Sequence, residues 1–183
     1  MKDESAFQSF DIVDLARTQN SQINLVLFTK EEYQQQRIVL ARKLSNMFKT
    51  TCYVTINKPY HKILDEFRRY NIDGDRFFFL DASPREDERQ SSAQAVTIGS
   101  PSDVTSIGIE LGRLLREERF DACLVDSIDT LGLYHDWNVV LRFLHSIVSK
   151  FRMGDNLLFL LTSQGDPGLS KEIFMLVDGI LEL

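Results

Sequence analysis

The residues best suited to chemistry in this sequence are polar side chains that directly follow apolar runs. The clearest case is the stretch FDACLVDSIDTL, from Phe120 to Leu131, in which an apolar run ends in Asp126 and Ser127. This is the form of a Walker B element, in which the aspartate holds Mg²⁺ beside the phosphates of a nucleotide. A strand that ends in an acidic residue is common in α/β proteins, so the motif alone leaves a plain polar strand end equally open.

Other apolar runs are also followed by polar residues. Thr29 and Lys30 follow the first run, and the later runs are followed by Asn57, Lys58, Asp81, Ser163 and Gln164. In an open parallel sheet the carboxyl ends of the strands lie along one edge, and ligands bind beyond that edge. The sequence therefore predicts that these side chains form one polar cluster with Asp126 and Ser127.

The segment after the first run lacks the residues that a phosphate-binding loop needs. Its eight positions, with no glycine among them, are Thr29, Lys30, Glu31, Glu32, Tyr33, Gln34, Gln35 and Gln36. Glycines let backbone amides approach phosphate oxygens in conformations closed to residues with a Cβ. Glu31 and Glu32 would also place negative charge where phosphate would lie. Because the helix dipole stabilises glutamates in a first turn, residues 31–36 are predicted to begin a helix instead.

No other set of residues predicts a catalytic or metal site. The histidines do not have the spacing of metal ligands; they are His61, His135 and His145. Ser127, His135 and Asp126 could be combined into a hydrolase triad, but no glycine-flanked nucleophile turn accompanies them. We therefore assign no catalytic residue and no metal ligand.

The elements that must position these residues alternate between strands and helices. Apolar runs of strand length are INLVLF, CYVTI, RFFFLD, ACLVD and NLLFLLT, and a sixth, GILEL, closes the chain. None alternates between apolar and polar residues, as expected for parallel strands covered on both faces. Stripes of helical spacing lie between the runs, such as Ile38, Ala41, Leu44 and Phe48. This pattern predicts a three-layer α/β sandwich with a mostly parallel sheet.

Composition is typical of a globular domain. The chain has 183 residues, of which 43% are hydrophobic and 26% charged, and its formal net charge is -6. One domain over residues 1–183 is predicted, with an N-terminal packing segment over residues 1–20 and a surface loop over residues 82–98. The acidic balance argues against direct nucleic-acid binding. No run reaches membrane-spanning length and no signal-peptide pattern is present, so a cytoplasmic location is expected. Cys52 and Cys123 are predicted to be small core residues.

In order and spacing, these elements resemble the RecA-like ATPases, and among them the KaiC-like proteins of archaea. The resemblance runs from about Ile23 to Leu183 and rests on the phrases YVTINKP, FFFLDAS, SPSDVTSIGIELGRLL, FDACLVDSIDTL, VVLRFLHSIVSKF and NLLFLLTSQGDPGLSKEIFMLVDGILEL. It implies a P-loop NTPase-like sheet with strand order 3-2-4-5-1-6, where the six runs are numbered along the chain.

Carried over position by position, the family's functional residues are mostly absent. The resemblance places the phosphate-gripping lysine at Gln35 and the hydroxyl that binds Mg²⁺ at Gln36. It places a glutamate pair, one member of which activates the attacking water, at Asn57 and Lys58. Only Asp126 matches clearly. The resemblance therefore implies a pseudo-ATPase with a degenerate Walker A motif.

The resulting expectation is a catalytically inactive KaiC-like domain that acts as a protein-binding or regulatory module. Protein partners or self-association are expected, no cofactor is assigned, and any binding of Mg-ATP is expected to be weak. The main alternative is an ATPase whose site is rebuilt at an oligomer interface, with Lys30 or Lys58 replacing the missing lysine. A weaker alternative is an accessory protein that reaches DNA through a partner. One of the two lysines is also predicted to pair with Asp126 in place of Mg²⁺ and to lower its pKa.

Overall fold

Strands and helices alternate along the chain in a computed structural model of the protein. The structure describes residues 21–84, 92–117, 119–165 and 170–182. The packing segment predicted over residues 1–20 lies outside the described residues. Within them, parallel strands form one sheet, and helices connect the strands.

The bounds of the elements agree closely with the apolar runs. The strands are β1 (Ile23–Phe28), β2 (Thr51–Thr55), β3 (Phe77–Asp81), β4 (Ala95–Thr97), β5 (Ala122–Asp126), β6 (Leu157–Ser163) and β7 (Gly179–Glu182). The helices are α1 (Tyr33–Met47), α2 (Tyr60–Arg69), α3 (Val104–Arg116), α4 (Ile128–Leu131), α5 (Trp137–Phe151) and α6 (Lys171–Leu176). A 3₁₀ turn, Gly74–Arg76, precedes β3.

The order of the strands confirms the expected topology. The sheet runs β4-β3-β2-β5-β6-β1-β7. Without β4, this is the order 3-2-4-5-1-6 that the resemblance implied. Neighbouring strands end together, with Thr55 opposite Asp126 and Phe28 opposite Ser163. The polar residues that follow the strands are therefore delivered to one edge of the sheet.

Helices cover both faces of the sheet because the strands are apolar on both faces. One face packs against α1 and α2, with Tyr53, Phe67 and Leu124 among its fully buried residues. The other face packs against α3, α4, α5 and α6, and the apolar side of α5, which includes Phe143 and Ile147, is buried there. The predicted three-layer α/β sandwich is confirmed.

Of the surface loop predicted over residues 82–98, residues 85–91 lie outside the described residues, and residues 95–97 form β4 instead of a loop. This strand pairs in parallel with the end of β3, where Leu80 lies opposite Val96. Its side chains Ala95 and Thr97 are buried. Three residues make too short an apolar run to be read as a strand beside a long polar stretch. Pairing with β3 supplies the burial that the sequence pattern does not reveal.

Hydrogen bonds of two side chains stabilise the opposite edge of the sheet, where the strands begin. Gln22 Nε2 donates to three carbonyl oxygens near the end of α5, at 2.8, 2.6 and 3.2 Å, and these belong to Phe151, Gly154 and Asn156. Asp178 Oδ2, just before β7, accepts a hydrogen bond from the backbone amide of Ile23 at 2.9 Å. The Gln22 bonds connect the start of β1 to the end of α5, and the Asp178 bond connects it to the start of β7.

Candidate functional site

A cleft with a volume of about 290 Å³ opens at the carboxyl edge of the sheet. The start of α1, the segments after β1 and β2, the ends of β5 and β6, and α4 all contribute to it. Its lining residues are Lys30, Tyr33, Gln34, Arg37, Thr55, Asn57, Lys58, Asp126, Ser127, Asp129, Thr130 and Ser163. A volume of this size lies at the lower end of the range for small-molecule sites.

Most of the predicted polar cluster meets in this cleft, but three of its members, Thr29, Asp81 and Gln164, do not line it. Asp81 is fully buried, and its carboxylate accepts hydrogen bonds from the amides of Tyr60 and Ser83, each at 2.9 Å. It therefore joins the end of β3 to the start of α2. Gln164 is exposed, and its backbone amide donates to the Phe28 carbonyl at 2.6 Å.

The segment from Thr29 to Gln36 is a tight turn that runs directly into α1. The backbone amides of Glu32 and Tyr33 donate to the Thr29 carbonyl at 3.2 and 3.0 Å. The Thr29 hydroxyl donates to Glu32 Oε2 at 2.9 Å. The predicted helix is present, although it begins at Tyr33 rather than at Glu31 because residues 30–32 form the turn.

Asp126 ends β5, and both of its carboxylate oxygens have hydrogen-bond partners. Oδ1 accepts from the hydroxyl of Tyr33, and Oδ2 accepts from the hydroxyl of Tyr53. Arg37 Nη1 donates to the same Tyr53 hydroxyl at 3.0 Å, and Arg37 Nε lies 3.8 Å from Asp126 Oδ2. The peptide bond between Asp126 and Ser127 is cis. Side chains of α1 and β2 thus close over this carboxyl group.

Glu66 of α2 holds the other side of the Arg37 guanidinium. Its Oε2 accepts from Arg37 Nη2, and its Oε1 accepts from Lys58 Nζ at 2.5 Å. Burial by itself would raise the pKa of Glu66, but the hydrogen bonds from Lys58 and Arg37 outweigh it and lower the pKa. Arg37 is only 2% exposed, and a buried cation requires such pairing.

The predicted pairing of Asp126 with a lysine is wrong. Lys58 is bonded to Glu66, and Lys30 is exposed, with no ion pair to Asp126 among the described residues. The nearest cation is Arg37 instead. Burial raises the pKa of Asp126 to about 8, and the charge of Asp129 adds to the rise. Arg37 and the hydroxyl donors favour the charged form of Asp126. Its pKa is nevertheless raised overall, whereas a lowered pKa was predicted from the sequence.

The sequence contains a signal for this network outside the Walker-type motifs. Tyr33 and Arg37 are four residues apart, and Arg37 precedes Ala41 by the same spacing. Both therefore lie on the stripe of α1 that faces the sheet, where apolar residues are expected. Tyr53 likewise places a hydroxyl inside an apolar strand. Glu66 gives no comparable signal, since it occupies an ordinary polar position of α2.

Hydrogen bonds among hydroxyl groups and Asp129 form the α4 side of the cleft. Ser163 Oγ donates to Asp129 Oδ2 at 2.7 Å, and the backbone amide of Thr130 donates to Oδ1 at 3.1 Å. The hydroxyls of Ser127 and Thr130 lie 2.9 Å apart. These groups are thus bonded to one another across the ends of β5 and β6.

The hydrolase triad considered from the sequence does not assemble. His135 Nε2 lies 3.2 Å from the Pro101 carbonyl oxygen, so its ring nitrogen is engaged there and not by Ser127. Within the described ranges, no group of three or more His, Cys, Asp or Glu side chains could hold a metal ion. None of the described helices has the length and apolar character needed to cross a bilayer.

Comparison with solved structures defines the class of fold. The KaiC-like protein of the hyperthermophilic archaeon Pyrococcus horikoshii superposes with a TM-score of 0.62 and 12% sequence identity, over 88% of this chain and 70% of that one. The likeness concerns the fold, and this chain has a RecA-like α/β fold similar to that of the KaiC-like protein. Its residues 29–183 match the family of unknown function DUF7504, and the chain belongs to that family. No curated protein matches it.

Proposed function

We propose that this chain is a RecA-like domain that does not hydrolyse ATP and acts as a protein-binding or regulatory module. The observation that carries the proposal is the closure of Asp126 by side chains of the same chain. Tyr33 and Tyr53 occupy its oxygens, and the Arg37 guanidinium lies beside it. The resemblance assigns this aspartate to a metal ion.

A divalent cation does not fit the groups around Asp126. Mg²⁺ takes a near-octahedral set of oxygen ligands at about 2.0–2.1 Å. Here the carboxyl oxygens already accept two hydroxyl hydrogen bonds, and a positive charge lies 3.8 Å from one of them. A metal ion would have to break these bonds and approach Arg37 against electrostatic repulsion. Phosphoryl transfer in this class depends on such an ion to neutralise developing charge.

The turn before α1 also offers little to a phosphate group. A phosphate-binding loop directs free backbone amides at the ligand. In this turn the amides of Glu32 and Tyr33 donate to the Thr29 carbonyl instead. The exposed side chains of Glu31 and Glu32 add negative charge at the same place. These features support weak or absent nucleotide binding.

The positions that would activate water carry no suitable base. Asn57 is exposed and has no titratable group, and Lys58 is bonded to Glu66. A general base must accept a proton near neutral pH, and an ammonium group paired with a carboxylate does not do so. The presence of Asn57 and Lys58 at these two positions supports the proposed absence of hydrolysis independently of the contacts of Asp126.

Exposed apolar side chains support a role in protein binding. Leu133 and Tyr134, in the connection between α4 and α5, are 82% and 40% exposed. They follow Thr130, which lines the cleft. A second exposed group lies in α6 and β7 and includes Met175, at 83%, and Ile180, at 47%. Aromatic and methionine side chains are enriched at protein interfaces.

Isothermal titration with Mg-ATP and Mg-ADP tests the proposal directly. We expect no affinity tighter than about 1 mM, equivalent to about 4 kcal/mol of binding free energy. A phosphate-release assay on the wild type and on Asp126→Asn provides the control, because contaminating activity would be equal in both samples. Micromolar affinity, or turnover that Asp126→Asn abolishes, would overturn the proposal.

A second candidate is an ATP-binding domain whose site is completed by another copy of the chain. The observation that favours it is Lys30, which is exposed at the cleft and is free of described ion pairs. Sedimentation velocity with and without Mg-ATP distinguishes the two candidates. Nucleotide-dependent assembly that Lys30→Ala abolishes would support this candidate, and assembly that is indifferent to nucleotide would support the first.

A further inference from the structure

The Arg37 guanidinium lies between two acidic side chains from different elements of the fold. Its Nη2 contacts Glu66 of α2, and its Nε faces Asp126 of β5 at 3.8 Å. Its Nη1 donates to the Tyr53 hydroxyl of β2 at 3.0 Å. One side chain of α1 thereby contacts groups from three other elements.

We propose that this network is a self-filled cation site. The guanidinium of Arg37 occupies the space between Asp126 and Glu66 and supplies the charge that a bound cation would supply there. The inference rests on the proposed function, since a metal-bound nucleotide would need part of the same space. It goes further by proposing that Arg37 replaces a bound cation and thereby links α1 to α2, β2 and β5.

The groups around Arg37 resemble the contacts of a bound planar cation. Guanidinium groups favour sites with carboxylate and hydroxyl oxygens near the plane of their N–H donors, and paired bonds to such oxygens are strong. Glu66 and Tyr53 provide oxygen acceptors for the two terminal nitrogens, Nη2 and Nη1. Asp126 adds a second acidic group near Nε. Arg37 is 2% exposed, so its guanidinium is satisfied mainly by protein oxygens.

Truncation of Arg37 should therefore leave an empty site that accepts a small planar cation. Arg37→Ala removes the guanidinium but leaves Glu66, Asp126 and the Tyr53 hydroxyl in place. The chemical class of ligand that fits is a free guanidinium or amidinium ion. The matched control is Arg42→Ala, because Arg42 belongs to the same helix, is exposed, and donates to the Tyr70 carbonyl away from the acidic pair.

The experiment is chemical rescue, read out as thermal unfolding in mildly alkaline buffer. Guanidinium chloride is added at low millimolar concentration, with sodium chloride at equal ionic strength as the salt control. We expect guanidinium to raise the Tm of Arg37→Ala but not that of the wild type or Arg42→Ala. The fitted affinity for Arg37→Ala should be at least about tenfold tighter than for the wild type. Adding Asp126→Asn to Arg37→Ala should weaken the rescue.

The absence of rescue in a folded Arg37→Ala protein would overturn the inference. If that variant does not fold, Arg37→Met, which better preserves the volume, is compared with Arg37→Met combined with Asp126→Asn. In buffer above the raised pKa of Asp126, a cation site predicts that the second change recovers part of the lost stability, because it removes a stranded negative charge. Additive losses would refute it. Nucleotide binding by the wild type is measured separately, so failure of the proposed function is distinguishable from failure of this inference.

Discussion

Removal of one buried hydroxyl group, with Tyr53→Phe, should destabilise the protein by about 3 kcal/mol. Tyr53 is fully buried, and its ring packs against Phe67, Phe77 and Phe79 with centroid distances of 6.1, 6.3 and 5.7 Å. The substitution keeps the ring and removes the hydroxyl, which accepts from Arg37 and donates to Asp126. A hydrogen bond to a charged group such as Arg37 is worth about 1.5–3 kcal/mol, a neutral one such as that to protonated Asp126 is worth about 1 kcal/mol, and two bonds in one network do not add fully.

Tyr33→Phe is the matched comparison for Tyr53→Phe. It removes the same chemical group from the same partner, because the Tyr33 hydroxyl donates to the other oxygen of Asp126. Tyr33 is only half-buried, so water can replace its hydroxyl. The expected loss is about 1 kcal/mol or less. The difference between the two variants isolates the contribution of burial.

Urea denaturation measures both losses, provided that the slope of free energy against urea stays equal to that of the wild type. A loss of about 3 kcal/mol is large compared with a typical total stability of about 5–15 kcal/mol, so the midpoint should move clearly. Equal losses for the two variants would refute the reasoning from burial. If Tyr53→Phe lowers the free energy of unfolding by less than about 1 kcal/mol, the Tyr53 hydroxyl does not bridge Arg37 and Asp126.

The remaining predictions concern acid stability, the amino-terminal edge of the sheet and the thiols. The lowered pKa of Glu66 stabilises the fold above its unfolded-state pKa, and this stabilisation is lost as pH falls through the lowered value. The stability difference between the wild type and Glu66→Gln, measured by urea unfolding across pH, should therefore shrink on acidification; a constant difference would contradict this. Gln22→Ala removes three hydrogen bonds to carbonyl groups and should cost about 1–3 kcal/mol, against about 0.5 kcal/mol or less for exposed Gln35→Ala. Cys52 and Cys123 are fully buried, and burial raises the pKa of Cys123, so a thiol reagent should label both only in denaturant. Labelling of the folded protein would show that one of them is accessible.

The covered parallel sheet and the core followed from patterns that extend over many residues, whereas the strand order was implied by the resemblance to the KaiC-like proteins. Runs such as ACLVD can satisfy their backbone and bury both faces only inside a covered parallel sheet. β4 was not predicted because its three residues are too few to show an apolar pattern of strand length. Its burial depends on pairing with β3. Local sequence does not contain that tertiary contribution.

The contacts of Asp126 were harder to predict than its position. The register of β2 and β5 correctly brings Lys58 to the same cleft as Asp126. Which cation pairs with which carboxylate then depends on side-chain reach and on the approach of α1 and α2. Glu66 takes both Lys58 and Arg37, an arrangement that requires knowledge of how the two helices pack. Strand ends are fixed by topology, whereas ion pairs depend on helix positions that periodicity does not specify.

The position of β1 between β6 and β7 has a consequence for synthesis on the ribosome. Ile23 pairs with Leu158 and Asn24 pairs with Gly179, so both partners of this strand are translated long after it. At typical elongation rates the strand waits roughly ten to thirty seconds before either neighbour emerges. During that interval six residues that are buried in the finished sheet have no β-partner. The nascent chain therefore exposes an apolar segment for that time, and β1 can join the sheet only after β6 or β7 has emerged.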